Sequence, residues 1–447
     1  MGRVTTELTP ENVWMATCAE AFHRSNDSCN GVLKDVWLDA FKFALKMHTP
    51  MYLLPAIITH RKNPQHFIKK TIPSIIRSSI FLATLPTGTA PIQCWLRKTT
   101  GRNHPIYAFI GGLVTGFICI NIEHPSRRNE LVVYTVNQLV ETLYKMAVVR
   151  GWAKFVPKAN CFIFVMAMSL LSYQYHYQRK NLGNIRSILK FFLGDRDDHP
   201  QLALRNEEGG RGVLLGVRRE GETIEEAKER RTKFFHSIRK ELTIAVKSTA
   251  RAFFMGIAIR GGFGFLVSMI GLLRTRLFSN AKVKKSLAGA LYKICLKSFG
   301  GNTMQFSLFL FLMVGGWRFT LLALRILTGE STRLHTFISG AVSGLSMFYS
   351  PSTEIAMYFA SKAAEGAFRT GVDNGYVRTV PKGDVMLFTL GCGILFYACV
   401  IEPFNLRPSY QKFLVNVSGG RALDYEPVAR AFHPDWFTKT GFTYPKR

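Results

Sequence analysis

The chain carries one pattern twice. Residues 97–116 read RKTTGRNHPIYAFIGGLVTG, and residues 325–344 read RILTGESTRLHTFISGAVSG. At one fixed offset the coinciding pairs are Arg97 and Arg325, Thr100 and Thr328, Gly101 and Gly329, Phe109 and Phe337, Ile110 and Ile338, Gly112 and Gly340, and Gly116 and Gly344. After a shift of four residues the match resumes at Tyr134 and Tyr358 and continues to Lys158 and Lys382. A register kept over this length predicts an internal duplication into two homologous halves, an arrangement common in membrane transport folds.

Apolar segments of nearly membrane-spanning length recur between short basic loops. Hydrophobic residues make up 47% of the 447 residues, and a helix needs about 20 apolar residues to cross the hydrocarbon core. The sequence therefore predicts an all-α, multi-pass helical membrane protein with about five apolar helical segments in each half. These segments are 41–59, 72–96, 105–122, 131–149 and 161–177 in the first half, and 250–273, 304–324, 335–349, 355–370 and 385–401 in the second.

The predicted organisation follows from the polar stretches around the two halves. It comprises a polar N-terminal region at 1–40 with Cys18 and Cys29, a first membrane repeat at 41–177, a charged connector with an amphipathic helix at 178–248, a second membrane repeat at 249–403, and a polar C-terminal tail at 404–447.

The net charge of +29 requires an anionic partner or surface. The 58 Lys and Arg residues are scattered beside apolar segments instead of forming one stripe interleaved with aromatic residues, which argues against nucleic acid. Anionic lipid headgroups are the predicted partner. Because the loops throughout the chain are basic, the positive-inside rule leaves the orientation open.

The eight cysteines do not form the paired short spacings of a disulfide framework. Most lie in or near apolar segments, where free thiols behave as small hydrophobic groups. Cys18 and Cys29 differ because they share a polar stretch with Glu20 and His23, a set that could bind zinc or close a disulfide. Unbonded thiols without a metal are the prediction, with zinc and a disulfide as the alternatives.

Two residue sets recur in both halves. Gly112 and Gly116, and likewise Gly340 and Gly344, place small residues four apart in an apolar helix, where another helix backbone can approach closely. Packing within the protein is the prediction, and a homodimer is the alternative.

The second recurring set is a carboxylate followed one helical turn later by a cation, at Glu141 and Lys145 and at Glu365 and Arg369. Unpaired charges inside a membrane are costly and often functional. The pairs are therefore predicted either to fix helix packing or to line a polar path.

Known catalytic and nucleotide-binding motifs are missing from the sequence, including G-x-S-x-G, H-E-x-x-H and the P-loop. The eleven histidines are dispersed. A protein that is not an enzyme and has no cofactor is expected.

Several segments resemble the transmembrane protein 135 family. They are HPSRRNELVVYTVNQLVETLYKMAVVRG at 124–151, SPSTEIAMYFASKAAEGAFRTGVDNG at 350–375, NLRPSYQKFL at 405–414 and MYLLPAIITHRK at 51–62. The run IAMYFASK is also similar to peroxisomal membrane protein 4, and the glycine-bearing helices resemble Tim-type mitochondrial translocase subunits.

The resemblance implies a multi-pass protein of mitochondrial and peroxisomal membranes, associated with the balance of mitochondrial fission and fusion, peroxisome organisation and lipid metabolism. It brings no catalytic residues. Two mechanisms are compatible with it. One is a regulator that recruits the fission machinery through its basic loops and the connector, and the other is a conduit for a lipid, metabolite or polypeptide between the two repeats.

Overall fold

The computed structural model describes residues 7–24, 28–60, 67–193, 223–262, 287–328 and 332–444, together with 264, 265, 268, 269 and 272. Within these residues the regular structure is helical throughout and includes no strand, which confirms the predicted all-α class. The α-helices are α1 (Cys18–Ala21), α2 (Cys29–His60), α3 (Ile72–Thr100), α4 (Ile106–Ile122), α5 (Pro125–Val149), α6 (Ala159–Tyr177), α7 (Ile185–Leu193), α8 (Ile224–Gly256), α9 (Leu287–Ser298), α10 (Gly301–Thr328), α11 (Arg333–Gly344), α12 (Thr353–Asp373), α13 (Gly383–Ile401), α14 (Pro408–Val417), α15 (Glu426–Phe432) and α16 (Pro434–Thr440).

The chain divides into two compact units. Unit 1 comprises Met1–Phe155 and Thr379–Arg447, and unit 2 comprises Val156–Arg378. These bounds differ from the predicted sequence repeats, since the last helix of each repeat lies in the unit built mainly from the other repeat. The repeat boundaries themselves remain a prediction.

Unit 1 is built around α13. Helices α4 and α5 pack on α13, α3 packs on α4, and α2 packs on α3. Its main core contains Cys119, Ile120, Phe388 and Cys392, all almost fully buried. Burial of such side chains from helices far apart in sequence is what holds the unit together.

Unit 2 is built around α6, α8 and α10. Helices α11 and α12 pack on α6, α10 packs on α8, and α11 also packs on α10. Phe164 from α6 and Phe309, Met313 and Trp317 from α10 form its buried core. Three of these four residues are aromatic, so each buries a large apolar area.

Both central helices begin in the same unusual way. Lys158 before α6 has φ 57°, and Lys382 before α13 has φ 55°. These are the only described residues other than glycine with positive φ. The left-handed region costs a side-chain-bearing residue about 1 to 2 kcal/mol, so the surrounding packing must hold both turns in place.

Three helices among the described residues are long and apolar enough to cross a membrane: Ile224–Gly262, Leu291–Thr328 and Gly383–Ile401. The shorter helix Ile106–Ile122 is also apolar. Membrane-spanning helices are therefore supported, while the count of ten segments remains a prediction.

The second part of the predicted connector lies in α8. Residues 194–222 lie outside the described residues, and from Ile224 one continuous helix runs past the predicted boundary at 248. Among the large apolar side chains of this part of the helix, Phe234 is buried, whereas Phe235 and Leu242 are exposed. The helix starts with a capping box formed by Thr223 and Glu226.

Candidate functional site

The glycines of α4 face the central helix of unit 1. A side-chain carbon built on Gly112 would lie 2.7 Å from the carbonyl oxygen of Cys392 and 2.9 Å from the Cα atom of Gly393. One built on Gly116 would lie 2.7 Å from the Cβ atom of Cys392. Real Cβ atoms essentially never come this close to other atoms, so the approach of α4 to α13 requires glycine at both positions.

The glycines of α11 face α6 of unit 2 in the same manner. A side-chain carbon on Gly340 would lie 2.6 Å from the Cα atom of Ser169, and one on Gly344 would lie 2.5 Å from the Cα atom of Val165. Both glycine strips are thus covered by a helix of the same chain. The homodimer alternative therefore gains no support from these faces.

The carboxylate of Glu141 contacts two cations. The Lys145 Nζ atom lies 3.0 Å from Glu141 Oε1, which is the predicted pair on one helix. Arg407, at the start of α14, donates to Glu141 Oε2 through Nε at 2.7 Å and also through Nη2. Arg407 was missed because it lies in the segment at 404–447 that was predicted only as a polar tail.

Glu365 also contacts two cations. Arg369 Nη2 lies 2.5 Å from Glu365 Oε1, as the i,i+4 spacing predicts, and Lys362 Nζ lies 3.1 Å from Oε2. Lys362 is only 2% exposed, whereas Arg369 is 44% exposed. The i,i+3 spacing on one helix face could have identified Lys362.

A further carboxylate with a cationic partner, Glu402, was absent from the predicted site residues. It is fully buried at the end of α13, and Arg150 Nη2 lies 2.5 Å from its Oε1 atom. Tyr397 and Asn405 donate further hydrogen bonds at 3.2 and 2.8 Å. The Arg150 guanidinium also lies over the Trp436 ring, 5.1 Å from its centroid. Both carboxylate oxygens of Glu402 are engaged in this network, which fixes the local structure.

Cys18, His23, Cys29 and Cys94 come together in unit 1, with one ligand atom of each lying within 4.8 Å of all the others. His23 Nε2 is 3.2 Å from Cys29 Sγ, and Cys18 Sγ is 3.9 Å from the Cys94 carbonyl oxygen. Interaction with Cys94, followed by smaller contributions from His23 and Arg97, lowers the pKa of Cys18 to about 4 despite its partial burial.

Sequence reasoning found three members of this cluster and missed Cys94. Cys94 lies in the apolar helix α3, and its distance in sequence from Cys29 gives no local signal. Glu20, which the sequence placed with the other three, has a different role. Its carboxylate accepts hydrogen bonds from Thr17 N at 2.7 Å and Thr17 Oγ1 at 2.8 Å, in the capping box of α1.

Long-range hydrogen bonds hold the N-terminal segment near α3. The Asn103 Nδ2 atom donates to the carbonyl oxygens of Val13 and Ala16, both at 2.8 Å. Arg97 Nε donates to Ala16 O at 3.0 Å, and Arg97 Nη2 donates to Met15 O at 3.1 Å. These contacts precede Cys18 directly and position it independently of the thiols.

The helical structure of the described residues and the three helices of spanning length indicate a helical membrane protein. The family model described as the N-terminal cysteine-rich region of Transmembrane protein 135 matches residues 15–148. The predicted resemblance to the transmembrane protein 135 family is thereby confirmed. No solved structure matches the chain.

Proposed function

We propose that this protein is a non-enzymatic, multi-pass protein of mitochondrial and peroxisomal membranes that regulates the balance of mitochondrial fission and fusion and the organisation of peroxisomes, with a role in lipid metabolism. The family match at residues 15–148 and the helices of spanning length support a membrane location. The organelles and the process come from the family resemblance.

One observation favours a regulator over a conduit. Glu141 and Glu365 each already contact two cationic side chains. A carrier for a charged substrate needs a charge that the substrate can engage, as intramembrane ionisable residues provide in transporters. Here these charges are used for contacts inside the protein, so we interpret the pairs as fixing helix packing.

The beginning of α8 offers a surface for recruitment. The helix Ile224–Gly262 has 39 residues and is therefore roughly 58 Å long, about twice the hydrocarbon thickness of a membrane. Its first part, residues 224–244, is rich in charge, and we call it the basic extension. Its exposed cations include Arg231, Lys233, Arg239 and Lys240.

The basic extension is held against the rest of unit 2. Arg325 Nη1 lies 3.3 Å from Glu241 Oε2, and the Arg325 side chain is almost fully buried. Because polybasic segments next to a membrane helix bind anionic lipid surfaces, we propose that the extension binds anionic headgroups and presents a surface to the fission machinery.

We further infer that the two units are copies of one duplicated unit that exchange their last helices. Gly112 lies against Cys392, and Gly340 lies against Met168. The first offset of the sequence repeat aligns Gly112 with Gly340, and the second offset aligns Met168 with Cys392. In each case the glycine belongs to one repeat and its partner to the last helix of the other repeat. Duplicated contacts support common ancestry of the two halves and are compatible with either mechanism.

The test is rescue of organelle morphology in cells that lack the protein. A variant with Arg231, Lys233, Arg239 and Lys240 changed to Gln should reach the membrane but fail to restore morphology. A control with the exposed residues Lys42, Lys46, Lys98 and Arg102 changed to Gln loses the same charge and should restore it. Restoration by the first variant would contradict recruitment through the basic extension.

Transport of a candidate lipid, metabolite or polypeptide by liposomes holding the purified protein would favour the conduit.

A further inference from the structure

The cluster of three cysteines and one histidine has the composition of a structural zinc site. Thiolate sulfur and imidazole nitrogen are the ligands that zinc prefers, and Cys₃His is a common closed set. Calcium and magnesium prefer oxygen ligands, and the carboxylate of Glu20, which the sequence grouped with these residues, accepts hydrogen bonds from Thr17. We propose that Cys18, His23, Cys29 and Cys94 bind one zinc ion, which fastens the N-terminal segment to α3.

The distances fit this proposal. The four ligand atoms already lie within 4.8 Å of one another. Bond lengths of about 2.3 Å to sulfur and about 2.0 Å to nitrogen place tetrahedral ligand atoms roughly 3.5 to 3.8 Å apart. The remaining difference is small enough for rotations about the side-chain bonds, and the separation of His23 Nε2 from Cys29 Sγ is already 3.2 Å.

A disulfide would use only two of the four groups. It would leave the third thiol and the imidazole of His23 without a role in the cluster. His23 is 2% exposed and Cys94 is 8% exposed, so two of the proposed ligands are already withdrawn from water. A zinc ion would satisfy all four donors at once.

The surroundings hold the ligands in place. The capping box of Thr17 and Glu20 begins α1, which carries Cys18. Arg97 and Asn103 bind the backbone immediately before this helix. Arg97 also acts electrostatically on Cys18, and its positive charge offsets the single negative charge of a zinc ion bound by three thiolates. Such outer contacts fix ligand orientation and tune metal affinity.

The site would cross-link distant parts of unit 1. Cys18 and Cys94 are 76 positions apart. A bond through zinc closes that loop and removes conformational entropy from the unfolded chain. The described part of unit 2 has no matching cluster of ligands, so the zinc site would be a property of unit 1.

The experiment measures zinc in the full-length protein purified in detergent, by inductively coupled plasma mass spectrometry. About one zinc ion per chain is expected. Cys94→Ser and Cys29→Ser should each lower zinc affinity by more than about tenfold, whereas Cys295→Ser, which changes an exposed cysteine outside the cluster, should leave the zinc content unchanged. His23→Cys should retain zinc because Cys₄ is also a structural zinc set.

A readout on the unaltered chain covers the case in which a variant fails to fold. Replacing zinc by cobalt should give the near-ultraviolet sulfur-to-cobalt absorption of a site with several thiolates. Absence of stoichiometric zinc, unchanged zinc in Cys94→Ser, a cobalt spectrum without this absorption, or a disulfide among Cys18, Cys29 and Cys94 in the native chain would each overturn the proposal.

Discussion

Within each of units 1 and 2, a helix with two glycines packs closely on another helix. The units differ in the cations that neutralise a carboxylate, Glu141 in unit 1 and Glu365 in unit 2. In unit 1 the second cation at Glu141 is Arg407, from a helix far along the chain. In unit 2 the second cation at Glu365 is Lys362, from the same helix. Both units therefore have the same type of glycine contact, whereas the second cation of the carboxylate is close in sequence in unit 2 and distant in sequence in unit 1. The distant partner couples the C-terminal tail to α5.

The largest expected effect comes from filling a glycine strip. Gly344→Leu should destabilise unit 2 by about 3 kcal/mol or more, because the new carbon meets the backbone of Val165, which cannot move aside. Gly116→Leu meets the side chain of Cys392 and should cost somewhat less. The measurements are membrane abundance and thermal unfolding in detergent. Gly289→Leu is the control, because a side chain at this position meets open space. Equal abundance of all three variants would contradict the close helix packing at Gly116 and Gly344.

A second effect separates the two cations of Glu365. Glu365→Gln should cost about 3 kcal/mol, because it removes the carboxylate that the buried Lys362 contacts. Arg369→Gln should cost less than about 1 kcal/mol, because Arg369 is nearly half exposed. Changing Glu365 and Arg369 together to Leu should not restore full stability, since Lys362 remains. Equal costs for the two single changes, measured by denaturant unfolding, would contradict this assignment.

The long-range pair of unit 1 should have a smaller effect, focused on the tail. Arg407→Gln should cost about 2 kcal/mol, as expected for charged hydrogen bonds, and should speed cleavage of the segment after residue 404 by proteinase K. The matched control is Lys145→Gln, which changes the more exposed cation of the same carboxylate. Tail cleavage that is faster in the control than in Arg407→Gln would show that the tail is held by other contacts.

The smallest effect should be the same in both units. Lys158→Gly and Lys382→Gly relieve the left-handed backbone, and each should raise stability by up to about 1 kcal/mol after the entropy cost of glycine. Lys154→Gly, at a position without positive φ, should not stabilise. A gain in one unit only would mean that the two turns are held differently.

Local features were predictable from the sequence because they depend on residues within one helical turn. The apolar segments predicted helices, and the spacing of Glu141 to Lys145 and of Glu365 to Arg369 matches ion pairs present in the structure. Helix periodicity alone carries this information.

Contacts between distant segments were not predictable in this way. Nothing near Cys94 or Arg407 indicates its partner, since each partner lies far away in sequence. The sequence pattern also could not show that α13 packs on α4 and α5 in unit 1, or that α6 packs on α11 and α12 in unit 2. The amphipathic helix of the connector and the apolar segment after it were predicted as separate elements, although one helix, α8, contains the first and runs into the second.

A disulfide tests most directly the proposal that the two repeats exchange their last helices. A side-chain carbon on Gly393 would lie 3.0 Å from Leu113 Cγ, which fits a cysteine pair at these positions. In a background with Cys392→Ala, Leu113→Cys with Gly393→Cys should form an intramolecular disulfide, detected by mass spectrometry of the linked peptides. The comparison pair, Leu113→Cys with Met386→Cys, moves the second cysteine about two turns along α13 to an exposed position and should remain unlinked. Absence of the 113–393 disulfide, or equal linkage of 113 to 386, would contradict the packing of α4 on α13 on which the exchange depends.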